Sequence, residues 1–536
     1  MVTTAPTAHV PAGIPIPASS RDARGRDQTV SVGVTAVLLA LTIIALLVTA
    51  WAYVRGAWGY VDNGDGYYLY AARRVARGAV LYRQVMGTQP PVVYLLGAAA
   101  FKLGATLPAL RLLSAALRAL TAGLVYAVGV RLYADRRVAA LAALVYAVLP
   151  IGLLWGRSFD VNPPLTLVAL LSALALSRLT PRGSRVGGLL GAAALFTKTL
   201  YLPLLVVTLV YLCRESSRRR LLGPYLQGLL AGCVTFTLAL AAYAGPASPR
   251  DAFLGQGASP LNPSWFAGSL LYVGVMEGGV VLVAIAGAIV CRRAAHLLPF
   301  TASPARKERV AGAAISYAPW LLAGGMAVLV ATLKEGTFGT VFCCAEPAVA
   351  LLAAYGMAQA LRLRSPAPSA DAQTLPQRQR GAWRRGAARI AARTMLPIAA
   401  LSLLACLGVD RAGLRGADAG EVARVSALTR AYARPGATIV APPYYALLTD
   451  TRVPDDAGDT YILAQRVRRG EASALSWVRG VAAGIAAGRI PVVLIDERLA
   501  SIAPLMAALR AHDRPIYSDT LAPALHVVVW IPARRR

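Results

Sequence analysis

The sequence predicts an α-helical polytopic membrane protein with about eleven crossings and a small C-terminal α/β domain. Three observations predict it. The 536 residues are 57% hydrophobic and 15% charged, with mean hydropathy +0.55, whereas a soluble protein carries about 25% charged residues. Residues 30–54 hold no charge, enough to span a bilayer at about 20 residues per crossing. Arginine clusters recur between apolar segments, and after residue 410 the chain turns amphipathic.

The elements follow in order. Residues 1–29 are rich in Ala, Pro and Ser and are expected to be disordered. Segment 30–54 is too long for a cleaved signal, and no A-x-A site follows, so it reads as an uncleaved anchor. Trp51, Tyr53, Trp58 and Tyr60 suit an aromatic belt at its outer end. A net charge of +30 would suggest nucleic acid in a soluble protein. Here the charge is distributed as for a lipid bilayer, with no nucleic-acid partner. The clusters are Arg21/Arg24/Arg26, Arg131/Arg136/Arg137, Arg178/Arg182/Arg185, Arg214/Arg218/Arg219/Arg220, Arg292/Arg293/Arg306/Lys307/Arg309 and Arg362 through Arg393. Placing all of them in the cytoplasm satisfies the positive-inside rule. The spans become 30–54, 107–130, 138–155, 163–177, 186–197, 200–213, 221–244, 269–290, 311–332, 340–360 and 394–409. The expectation is a multi-pass protein of the plasma (inner) membrane, N-terminus cytoplasmic and C-terminal domain extracytoplasmic.

Residues 186–213 are unusual. Both ends are basic, each half is short for a full span, and Lys198 lies between them. The charge pattern asks for a hairpin with Lys198 at its apex. An ionisable residue at such depth is a functional candidate; the alternative is one long helix with a snorkelling lysine.

Within the membrane domain of residues 30–409, residues 361–393 read as a basic cytoplasmic loop. The region 410–536 reads as helix 418–433, strand 437–441, a turn at Pro442-Pro443, helices near 460–487, strand 490–495, helix 500–511, and strands near 515–518 and 524–531. The six cysteines lie in apolar segments or at their ends, so neither a disulfide framework nor a thiolate metal site is indicated. The four histidines lack ligand spacing.

The richest stretch is 62–91, DNGDGYYLYAARRVARGAVLYRQVMGTQPP. Carboxylates are scarce in the apolar part: thirteen of the 25 acidic residues precede residue 410. Asp62 and Asp65 stand where the first helix ends. A helix over 66–77 follows, stopped by Gly78 at C′. Tyr70, Arg73, Arg74 and Arg77 share one face, so this helix is expected to lie in the interface with its arginines on lipid phosphates. The bland alternative makes Asp65 an N-cap and Asp62-Asn63-Gly64 an Asx turn.

An acidic helix end, a G-Y-Y-x-Y-A-A-R helix, a Gly, a Tyr-Arg pair and Q-P-P resemble the bacterial GT-C polytopic glycosyltransferases. These relate to protein O-mannosyltransferases and lipid A aminoarabinose transferases (glycosyltransferase family 39). Gly156-Arg157-Ser158-Phe159-Asp160-Val161-Asn162-Pro163 looks like the family's second outer loop, Phe196-Thr197-Lys198 like its hairpin lysine, and Lys334-Glu335-Gly336-Thr337 through Glu346-Pro347 like its late outer segment. The resemblance covers about residues 30–360. Many relatives carry two adjacent acids before the Gly-Tyr helix. Here the acids are split as Asp62 and Asp65, which leaves open which one carries the chemistry.

The resemblance implies an inverting transfer of a sugar from a polyprenyl-phosphate donor to a glycan, lipid or protein acceptor of the cell envelope. Such chemistry needs a carboxylate to take the acceptor proton and cations around the leaving phosphate. Asp65, with Asp62 beside it, is the candidate base. Lys198, Arg83, Arg157 and Lys334 are the candidate phosphate clamp; the chain has only four lysines against 51 arginines. Tyr67, Tyr68, Asp160 and Glu346 are the candidate substrate contacts. Plainer alternatives are headgroup anchors for Arg83 and Arg157, a solvated Lys334-Glu335 pair, a Lys334–Glu346 pair and belt tyrosines; Asn162, before Pro163, reads as an N-cap. Asp496-Glu497 after strand 490–495 is a weaker candidate. No cofactor and no metal ligands are assigned; a divalent cation is compatible, though a bridging metal would want more carboxylates than Asp62 and Asp65. The competing class is a transporter or lipid-linked glycan flippase, which should show inverted repeats; none is visible. A third is a non-catalytic envelope-assembly protein.

Overall fold

The computed structural model describes residues 19–55, 66–156, 158–214, 216–255, 259–297, 317–334, 339–362, 419–456, 458–518 and 527–533. Asp62, Asp65, Arg157, Glu335, the 363–393 loop and the expected span 394–409 lie outside them.

Helix α1 (Ser19–Arg55) begins well before residue 30 and enters the stretch expected to be disordered. Then come α2 (Leu69–Ala76), α3 (Val92–Lys102), α4 (Leu107–Tyr133), α5 (Arg136–Val148), α6 (Pro150–Trp155), α7 (Asn162–Leu176), α8 (Pro181–Leu195), α9 (Leu202–Arg214), α10 (Ser216–Ala244), α11 (Ser248–Leu254), α12 (Pro263–Leu297), α13 (Ala318–Ala327) and α14 (Glu346–Arg362). Four stretches, Gly33–Arg55, Leu107–Tyr133, Arg218–Ala244 and Pro263–Arg292, are each long and apolar enough to cross a bilayer. Their apolar side chains are bare: Leu47 is 64% exposed, Trp51 63%, Leu230 66% and Leu271 69%. Such surfaces suit lipid rather than water. Tyr53, expected in the aromatic belt, is instead buried and donates to the Leu153 carbonyl at 2.6 Å.

One expected span is broken. Residues 138–155 divide at Leu149, because Pro150 has no N–H and starts a new helix, α6.

Helix directions follow from side-chain register. Ser184 Oγ of α8 donates to the Leu221 carbonyl of α10 at 2.7 Å, Gly188 abuts Tyr225, and Phe196 meets Phe236 at 5.2 Å between ring centroids. Helices α8 and α10 therefore run parallel, and α9 must return between them. The segment is a hairpin with Phe196–Tyr201 at its turn. The same reasoning joins α4 and α7, where Ser114 Oγ donates to the Ser158 carbonyl and Arg131 Nε to the Ser177 carbonyl. Arg131, Arg136, Arg178, Arg182, Arg214 and Arg218–Arg220 thus gather at one end of the bundle. The other end carries α2, α3, the 156–161 loop and the hairpin turn; it is called the site end below.

The C-terminal part contains α15 (Ala419–Tyr432), α16 (Pro443–Thr449), α17 (Thr460–Arg468), α18 (Ala472–Ala486), β1 (Val493–Ile495), α19 (Glu497–Ala500), α20 (Ala503–His512), β2 (Asp513–Ser518) and β3 (Val528–Pro532). The sheet order is β1-β3-β2, antiparallel throughout. Alternation along β1 serves two cores: Val493 and Ile495 pack with Trp477 and Leu505, while Val492 and Leu494 pack with Val425 and Ile439. The expected strand 437–441 is reduced to isolated bridges, Thr438 to Arg452 and Val440 to Val493. The expected turn at Pro442-Pro443 is instead the start of α16, with Pro443 as its first residue.

Candidate active site

Helix α2 follows directly on the acidic segment. Its C-terminus is as the sequence predicts: Arg77 is the cap, and Gly78 has φ +96°. Two of the three arginines on its basic face turn to the C-terminal part of the chain. Arg73 donates to Asp450 at 2.9 Å and to the Leu447 carbonyl at 2.7 Å, and Arg77 reaches Asp450 at 2.7 Å. The Val453 N–H donates to the Tyr70 hydroxyl at 3.0 Å. The stripe is the seat of the C-terminal domain. A sequence shows a basic face but not what the distant chain brings to it.

Tyr67 and Tyr68 are both buried and pack on Tyr94 of α3, with ring centroids 5.8 and 5.6 Å away. The Tyr67 hydroxyl accepts from Tyr94 and from the Thr88 N–H, each at 2.6 Å. Thr88 Oγ1 donates to Asp459 at 2.9 Å, and Asp459 caps α17 through the Ile462 N–H. Tyr67 is thus fully engaged in a core that includes the C-terminal domain. Burial, and after it the Asp160 charge, holds the Tyr68 hydroxyl above its ordinary pKa.

Lys198 stands in extended conformation at the hairpin turn, 8% exposed. Its Nζ donates to Asn162 Oδ1 at 3.2 Å. Asn162 Nδ2 donates to Asp160 Oδ2 at 3.0 Å, and Asp160 Oδ1 accepts the Val161 N–H. Asn162 is therefore the first residue of α7 and a bridge between two charges, not its N-cap. Burial pushes the Asp160 carboxyl up from the usual range, and the Lys198 ammonium opposes that shift. The Q-P-P segment joins the same place, since the Val92 N–H donates to the Phe196 carbonyl at 3.4 Å.

The remaining candidates are not members of the Lys198–Asn162–Asp160 hydrogen-bonded line. Arg83 is exposed in the turn between Leu81 and Val85. Lys334 is half-buried, bridged to Leu261; burial lowers its pKa, and the Arg469 charge adds to the effect. Glu346 is fully buried, and its ion-pair partner is Arg118 at 3.4 Å rather than Lys334. Asp496 caps α19 through the Leu499 N–H at 2.8 Å, and Glu497 is exposed. The β1–β3 ladder beside them is antiparallel and the parallel pairing of β1 is a single bridge, Val440 to Val493, so support for a parallel-sheet ligand loop there is slight. Among the described residues, no group of three or more His, Cys, Asp or Glu is placed to hold a metal ion.

Residues 88–242, which contain the Lys198 site, match the family model for dolichyl-phosphate-mannose-protein mannosyltransferase. ArnT from Cupriavidus metallidurans bound to undecaprenyl phosphate superposes with TM-score 0.56 at 14% identity, over 93% of this chain and 98% of that one. Its apo form gives 0.58 at the same identity and coverage. The chain has the GT-C glycosyltransferase fold. The apo oligosaccharyltransferase of Archaeoglobus fulgidus is a more distant match, with TM-score 0.50 at 12% identity, over 89% of this chain and 73% of that one. No curated protein matches the chain.

On this GT-C frame, the sequence reading overlooked Arg118 and Glu277. Both are ionisable residues inside apolar spans, the signal that singled out Lys198. Asp450 and Asp459 carried no such signal, because their partners in α2 and the 86–88 turn are remote in sequence.

Proposed function

We propose that the chain is an inverting glycosyltransferase. It moves a sugar from a polyprenyl-phosphate donor to a hydroxyl of a cell-envelope glycan, lipid or protein at the outer face of the plasma membrane. The observation that carries the reading is Lys198, a buried lysine at the turn of a membrane hairpin, at the same end as the segment that follows Asp65. Lysine is a compact charge for phosphate. Its ammonium has three protons, and Asn162 takes one. The likeness to an ArnT bound to undecaprenyl phosphate supports the donor class.

In this reading Asp65 takes the proton of the acceptor hydroxyl as the oxygen attacks the anomeric carbon. Asp62 is the neighbouring carboxylate that could replace it. The bond from that carbon to the donor phosphate breaks on the opposite face, which inverts the centre. The phosphate leaves with the electron pair, and Lys198 stabilises the growing charge. Arg157, Arg83 and Lys334 are further cations for the same lipid phosphate. Tyr68 and Asp160 are the candidate substrate contacts beside Lys198, and Tyr67 packs against Tyr68 at 5.2 Å between ring centroids.

The test is transfer from a panel of radiolabelled polyprenyl-phosphate sugars by the purified full-length protein. Asp65→Asn should lose about 10²- to 10⁴-fold in rate while keeping donor binding, and Asp62→Asn should be milder. The opposite ranking would move the base to Asp62. Normal turnover in both variants would sink the mechanism.

A further inference from the structure

Another ionisable cluster lies deeper in the bundle. Arg118 of α4, Glu277 of α12 and Glu346 of α14 are 4%, 0% and 0% exposed. They meet at the Leu149–Pro150 break. A continuous helix would satisfy the backbone there. The break instead strands the carbonyls that end α5 and the N–H groups that start α6. In a bilayer interior no water can satisfy them.

Three side chains from three other helices do so. The Arg118 guanidinium donates to the Tyr146 carbonyl at 2.8 Å and the Leu149 carbonyl at 3.1 Å. Glu277 accepts the Ile151 N–H at 2.9 Å, and Glu346 accepts the Gly152 N–H. Arg118 and Glu346 then pair with each other. A Cβ at position 152 would strike both the guanidinium and the Glu346 carboxylate, so only glycine lets the backbone come this close.

We infer that Arg118, Glu277 and Glu346 are positioning residues that hold the α5–α6 break and thereby set the loop presenting Asp160 and Asn162 to Lys198. Helix α6 is only six residues long, Pro150–Trp155, and the loop follows it directly. One small cavity is lined by residues of both places, Arg118 and Glu346 together with Asn162 and Thr166. The consequence for catalysis rests on the donor-phosphate reading of Lys198; the clamp itself does not.

The two glutamates have different duties. Glu346 balances the guanidinium. Glu277 serves as an acceptor for backbone, taking the Ile151 N–H. Its Oε2 has no hydrogen-bond partner among the described residues. Glutamine at 277 keeps that acceptor, because its carbonyl still takes the Ile151 N–H. Glutamine at 346 leaves a buried guanidinium without its counter-ion.

The experiment is hydrogen exchange of residues 151–162 in full-length protein in lipid nanodiscs, alongside binding of undecaprenyl phosphate. Glu346→Gln should raise exchange by about tenfold or more and weaken lipid-phosphate binding. Glu277→Gln should leave both unchanged. If Glu346→Gln does not fold, Glu346→Asp keeps the charge but draws it back from Gly152, and it should give the same raised exchange. Wild-type exchange in the folded 346 variant would overturn the clamp. Raised exchange with unchanged lipid binding would overturn its positioning role. Equal damage from Glu277→Gln would overturn the division of duties. If even the wild type fails to bind the lipid, the donor reading fails, and the exchange data still decide the clamp.

Discussion

Lys198 Nζ donates to Asn162 Oδ1 at 3.2 Å, which ties the turn of the α8–α9 hairpin to the first residue of α7. Asn162 in turn holds Asp160 at 3.0 Å. A cation, an amide and a carboxylate from two chain segments thus form one buried line at the site end.

That line sets the first prediction. Lys198→Met removes the cation that offsets the buried Asp160. It should weaken undecaprenyl-phosphate binding and also lower thermal stability, by about 1–3 kcal/mol for the stranded polar group. Adding Asp160→Asn should restore the melting temperature but not the binding. A Lys198→Met protein with full lipid-phosphate affinity would exclude Lys198 from the clamp.

A second prediction concerns the seat of the C-terminal domain. The Arg77 hydrogen bond and the charges of Arg73, Arg77 and Arg452 hold the Asp450 carboxyl below the usual range. A depressed carboxylate contributes stability above its unfolded value of about 3.9, and that contribution is lost as pH falls through the lower folded value. The pairs are partly exposed, so each is worth about 0–1 kcal/mol. Amide protection at Val453 should therefore fall modestly in Asp450→Ala at neutral pH. The wild type should converge on the variant below about pH 4. A pH-independent gap between the two would show that Asp450 acts through packing rather than charge.

The third prediction has the opposite sign. Asp513 is 7% exposed, and neither of its carboxylate oxygens has a hydrogen-bond partner among the described residues. Burial pushes its carboxyl up to about 6, with His512 opposing. A raised carboxyl costs stability at high pH, and the cost disappears as pH falls through the folded value toward the unfolded one. Asp513→Asn should raise the melting temperature of the full-length protein at pH 8 and have little effect near pH 4. Melting curves across that range are the check; equal stabilisation at both ends would count against titration of Asp513.

Much of the bundle was legible because hydropathy is a local sum. The apolar runs placed α1, α4, α7, α10 and α12, and the arginines flanking 186–213 called for a hairpin. Gly78 marked the end of α2, since a left-handed residue at C′ favours glycine. The break at Pro150 was missed because its flanks are apolar on both sides, and an apolar run does not show whether its backbone is continuous. Asn162 was misread because the residue preceding a Pro-Pro pair looks like a cap until its side chain is seen spanning Asp160 and Lys198.

What the sequence determined by itself is the class of molecule: a helical membrane protein with its basic loops at one end and scarce carboxylates near Tyr and Lys at the other. What only the tertiary structure decided is which charges meet. Arg118 and Glu346 are 228 residues apart, and Arg73 and Asp450 are 377 apart. Spanning depends on the sum of transfer free energies along one short segment, which composition reports directly. An ion pair depends on a few ångströms between segments whose separation is set by the path of the whole chain. In a low-dielectric interior that distance decides whether a charge is a cost or a clamp.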